Sequence, residues 1–265
     1  LTFKKFMTLT FLILLTAPQT AYSQETKSST HGGVIRRVEK GLKDQEYFFY
    51  FIDSTITNSG SDEEKDIFIE AIRRDLIARM LHLRFEFNPA MKEIIKIQEL
   101  LITLYSKAAI REIENANNLF KEISQGILNG SDSSAKNYLA LGYRSADSAK
   151  KIMMKADHLP EKNYSIRIYE YVKSIKSAKY GKRYAILAFI ESMVPPSKKV
   201  KLDNNKYDIV QDLINQYIPE NKERYSAIHF DNFYKIDPSK SVYNVVSANP
   251  ELEKIPEYKD YLKGK

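Results

Sequence analysis

The chain has 265 residues, with 41 Lys and Arg against 34 Asp and Glu, 9 Gly, 18 Tyr, no Cys and no Trp. That length holds one large domain or two modest ones, and 43% hydrophobic with 28% charged residues excludes wholesale disorder. Without Cys there is no disulfide framework, thiolate metal site, Cys nucleophile or lipidated N-terminal Cys, and so few Gly disfavour phosphate loops and many-turned β folds.

Lys4 and Lys5 precede an apolar run from Phe6 to Ala17, and Ala21-Tyr22-Ser23 places small residues where a signal peptidase reads. The run is shorter than the roughly 20 apolar residues that span a bilayer. Residues 1–23 therefore read as a secretory signal peptide cleaved before Gln24. Its removal leaves 39 basic and 34 acidic residues, a net charge of +5. No later run is long and apolar enough to be a transmembrane segment. An exported protein that does without disulfides is expected in a bacterial-type periplasm.

Residues 24–33 (QETKSSTHGG) form a polar, flexible leader. From Val34 through Val38, Leu42 and Phe51 the apolar spacing is helical, although Tyr47–Ile52 also fits a buried strand. Asn58-Ser59-Gly60-Ser61 breaks the pattern, and Asp62 caps a second helix to about Arg84, with Glu63 and Glu64 in its first turn. Asn88-Pro89 marks a restart. From Met91 to Ile127 helical spacing continues without Pro, up to a left-handed stop at Asn129-Gly130. Such a helix of about 40 residues is roughly 60 Å long. Ser131–Ser134 caps a fourth helix whose Gly142, Ala146 and Ala149 allow a neighbour to approach closely. A fifth runs from about Glu161 to Met193 and ends at Val194-Pro195-Pro196. Beyond a polar connection at 197–205 lie short pieces over 206–218, 219–236, 238–247 and 250–262. The fold expected is all-α and elongated, with a long-helix bundle over 34–196 and a C-terminal region of shorter helices over 197–265 packing on it.

Catalytic signatures are missing. His31, His82, His158 and His229 lack the partner spacing of a zinc or catalytic site. Acidic pairs such as Glu112 with Glu114, and Asp62-Glu63-Glu64, match ordinary solvated helix faces. No catalytic residue, cofactor, metal or small-molecule ligand is expected. The distinctive feature is a basic, Tyr-rich second half: 14 of the 18 Tyr lie from Tyr138 onward. In the fifth helix Lys173, Lys176, Lys179, Lys182 and Arg183 recur mostly at i+3 beside Tyr180 and Tyr184, a candidate partner-binding surface. The same pattern also fits a solvated lysine face over core tyrosines. Export removes nucleic acid as a partner.

With its signal peptide, Cys-free helical body, long central helix and C-terminal stretch AIHFDNFYKIDPSKSVYNVVSANPELEKIPEYKDYLKGK, the chain resembles the flagellar-coiling proteins of spirochaete periplasmic flagella. That resemblance implies a non-enzymatic component of the periplasmic flagellar sheath that promotes filament curvature and motility. Its partners would be other sheath or filament proteins. A periplasmic helical chaperone or envelope adaptor is the alternative.

Overall fold

A computed structural model describes residues 31–195, 197, 199 and 205–263. The signal peptide expected over 1–23, most of the leader and most of the 197–205 connection lie outside the described residues. Within them every regular element is helical. The helices are α1 (His31–Ser59), α2 (Asp62–Leu83), α3 (Phe87–Asn129), α4 (Ser133–Asp157), α5 (Tyr164–Met193), α6 (Tyr207–Tyr217), α7 (Lys222–Asn232), α8 (Val242–Ala248) and α9 (Tyr258–Leu262), with 3-10 turns at Pro219–Asn221 and Leu252–Lys254. The all-α expectation holds. So does the long central helix: α3 has 43 residues and is roughly 65 Å long.

Tyr47–Ile52 is helix. Phe48, Phe49 and Ile52 are buried while Tyr50 is 86% exposed, a helical period rather than strand alternation. Ser61, not Asp62, caps α2: its hydroxyl accepts from Glu64 N–H at 3.2 Å, and the Glu64 carboxylate accepts from Ser61 N–H at 2.7 Å. Helix α3 starts at Phe87, so Asn88 and Pro89 sit inside its first turn, and no side chain caps it. Gly130 is extended (φ −72°, ψ 165°) rather than left-handed. Asp132 caps α4 by accepting from Ala135 N–H at 3.0 Å.

Three pairings fix the layout. Helix α1 runs alongside α3 in the same direction, with Gln45 donating to Ile94 O (3.3 Å) and Tyr105 OH to Phe48 O (2.6 Å). Helix α5 also runs parallel to α3, since Gln98 reaches Ser165 (3.3 Å) near one end and Glu112 meets Lys182 (2.8 Å) further along. Helix α4 returns antiparallel to α5, with Ser177 donating to Ser145 O and Ser174 to Ala149 O, both at 2.8 Å. There the expected close approach occurs. A Cβ on Gly142 would lie 2.7 Å from the Phe120 ring and 3.2 Å from Gly181 O.

The buried side chains divide into two clusters. One joins α1, α2, the first half of α3 and the start of α5 through Phe48, Phe68, Leu101, Tyr105 and Ile168. The other joins the second half of α3, α4, the rest of α5, α6 and α7 through Phe120, Leu139, Ile186, Ile214 and Tyr225. Among the described residues only the small group Ile113, Ala149 and Ala178 lies between them. The C-terminal pieces join the first cluster through Val246 and Ile255 and are tied to it by polar and ionic contacts. Arg73 donates to Pro250 O (2.8 Å), and fully buried Glu93 accepts from Arg74 (2.9 Å), Lys96 (2.8 Å) and Tyr261 OH (2.8 Å).

Candidate functional site

Helix α1 stops at Ser59, alongside the middle of α3, and α6 and α7 take up the neighbouring space. A cleft of about 800 Å³ remains between them. From the first cluster's side come Asn58 and Ser59, with Asn115, Asn118 and Leu119 from α3 and Lys182 from α5. The opposite wall is Tyr207 and Gln211 of α6 with Arg224, Ser226, Phe230 and Asp231 of α7.

Asp231 anchors the buried end. Lys179 Nζ donates to its Oδ1 (2.9 Å) and its backbone carbonyl (2.8 Å), and Asn58 Nδ2 donates to Oδ1 at 3.4 Å. Lys182 Nζ lies between Glu112 (2.8 Å) and Asp231 Oδ2 (3.4 Å). Burial alone would raise the Asp231 carboxyl, but the two ammonium groups outweigh it and hold it below its ordinary value. Burial depresses Lys179, whereas Glu112 and Asp231 overcome burial at Lys182 and raise it. Arg183 donates from Nε to Asn232 O (3.0 Å), and its guanidinium stands 3.8 Å from the Phe233 ring centroid.

The outer wall is polar and braced. Gln211 Nε2 donates to Ser226 Oγ (2.7 Å), tying α6 to α7. Arg224 forms a two-point pair with Glu122 (2.8 and 2.6 Å). Behind them buried His229 stacks on Tyr207 (ring centroids 4.6 Å apart), with Nε2 2.9 Å from Tyr207 O. That distance assigns the proton to Nε2, leaving Nδ1 buried without a hydrogen-bond partner among the described residues.

The lysine stripe proposed from the sequence is split by helix geometry. At about 100° per residue, each i+3 step turns the stripe back by about 60°, so Lys182 falls opposite Lys173. Lys173, Lys176 and Tyr180 are exposed, and Tyr184 is half-buried beside Tyr138 (6.4 Å between rings). Lys179, Lys182 and Arg183 are buried among partners of their own chain, with Lys182 reaching the cleft wall. The acidic pairs divide likewise. Glu114 is exposed, but Glu112 and Glu64 are buried because Lys182 and Arg111 supply their counter-charges. Of the cleft residues, the sequence singles out Lys182 alone as a site candidate. A signal existed: Asn115, Asn117 and Asn118 crowd mid-helix in α3, where Asn is a poor helix former.

Among the described residues no group of three or more His, Asp or Glu could hold a metal ion, and no helix is long and apolar enough to cross a membrane.

A family model described as Surface protein adhesin OmpL37 matches residues 34–260. The chain belongs to that family, which is described by adhesion at a surface and not by a reaction. Comparisons with curated proteins and with solved structures return no match. The family match overturns the flagellar-coiling resemblance. The sheath role, the flagellar partners, the periplasmic location and the chaperone or adaptor alternative fall with it. In the C-terminal stretch, several tyrosines serve internal docking: Tyr225 is buried under α3 residue Glu122 (3.1 Å), and Tyr261 bonds Glu93.

Proposed function

We propose that this chain is a non-enzymatic adhesin, exposed at the cell surface and binding macromolecules presented outside the cell. The observation that carries this reading is the family match across residues 34–260. Two others support it. The N-terminal run from Phe6 to Ala17 has the form of an export signal. The cleft's charged side chains are also engaged by neighbouring counter-charges, as in a rigid recognition surface.

The reading is tested at two points. Protease added to intact cells should remove the chain from the surface while cytoplasmic markers survive. Beads coated with the purified full chain should settle on immobilised extracellular matrix more than beads coated with albumin. A chain protected from protease in intact cells, or beads that do not settle, would refute it.

A further inference from the structure

We infer that the cleft between α1, α3, α6 and α7 binds a neutral glycan, an inference that rests on the adhesin reading and gives it a ligand class. At about 800 Å³ the cleft lies within the range of ligand pockets, roughly 300–1,000 Å³.

Charge decides against an ionic ligand. Three charged side chains line the cleft, and each is already engaged: Lys182 by Glu112 and Asp231, Asp231 by Lys179, and Arg224 at two points by Glu122. No unpaired cation among them awaits a phosphate or sulfate, and no unpaired carboxylate awaits an amine.

Amides are what the cleft offers instead. Asn115 and Asn118, one helical turn apart on α3, are exposed at its wall and make no side-chain hydrogen bond among the described residues. Each amide carries a donor and an acceptor side by side. Vicinal sugar hydroxyls present the same complement, and two amides at this spacing can take successive hydroxyls of one ring. Phe230 and Ile228 add an apolar wall for the C–H face of a pyranose. The wall opposite the asparagines is kept rigid by the Gln211–Ser226 bond and the His229–Tyr207 stack, which limits the ordering cost of binding.

The test begins with the full chain on a printed array of neutral, sialylated and sulfated glycans. The brightest neutral glycan is then titrated calorimetrically into the wild type and two variants. Asn115→Leu/Asn118→Leu removes the amides at exposed helix positions, and Ala227→Trp, also at an exposed lining position, fills the space. Neutral glycans should be retained, and both variants should bind about tenfold more weakly or worse with unchanged melting temperature. An array blank for neutral glycans, retention of sialylated or sulfated glycans alone, or undiminished binding by both variants would overturn the inference. If coated beads settle on matrix while the array is blank, the glycan site falls and the adhesin reading stands. A positive array with beads that do not settle reverses that outcome.

Discussion

Lys176 and Lys179 are three residues apart on one helix, yet they differ in everything that bears on stability. Lys176 reaches into solvent past Tyr47 OH (3.4 Å), while Lys179 is 1% exposed and holds the Asp231 carboxylate. Replacing one partner of a buried ion pair leaves the other charge uncompensated and costs about 3–5 kcal/mol. Lys182 still faces Asp231 at 3.4 Å, so Lys179→Met should lower the unfolding free energy measured in urea by up to about that amount, and Lys176→Met should stay within about 0.5 kcal/mol of wild type. Spacing showed that these lysines share a helix. Which of them face inward depends on the helix's rotation about its axis, set by partners some fifty residues away, such as Asp231.

His229 makes a second contribution, visible through pH. Burial pushes its imidazole below its ordinary value, with Arg183 and Lys235 adding to that effect against the Tyr207 carbonyl. The unfolded chain thus binds the proton more tightly, so this part of the stability is complete above about pH 6.5 and declines as pH falls toward the folded value. The melting temperature should drop between about pH 7 and about pH 5, and the drop should be smaller in His229→Gln. Asp231 acts lower. Its depressed carboxyl stabilises above about pH 4, and that stabilisation is lost as pH falls through the folded value.

Among the helices, the α4–α5 contact depends most on a single atom's absence. Gly142 faces Phe120 and Gly181 with no room for a methyl group. Gly142→Ala favours the helix locally but forces the Phe120 ring aside, and overpacking of this kind costs about 1–3 kcal/mol. Thermal unfolding of that variant should show a net loss despite the gain in helix propensity. The small residues at 142, 146 and 149 announced the contact in the sequence because close approach needs them whatever the neighbour is. Helix ends were less visible. Ser61 wins the α2 cap over Asp62 because Glu64 can answer it from the third helical position. Tyr47–Ile52 was ambiguous because six apolar or aromatic residues in a row hide the period. Exposed Tyr50 reveals it only once the bundle is assembled around α1.

Over the molecule as a whole, helical class and the long α3 could be read from unbroken apolar spacing. The cleft could not, since it is made where α1 ends and α7 arrives, more than a hundred residues later in the chain. Its asparagines left a trace as poor helix formers in mid-helix, but their meaning required the α6 and α7 walls opposite. The C-terminal tyrosines and lysines were part of the flagellar resemblance that the family match overturns. Several rings of that region close the fold against itself.

Helices α3 and α5 cross from one buried cluster to the other without interruption, and the cleft opens beside that crossing. A tether held in the cleft would pull on two continuous rods at mid-length, so the load divides toward both ends of the molecule.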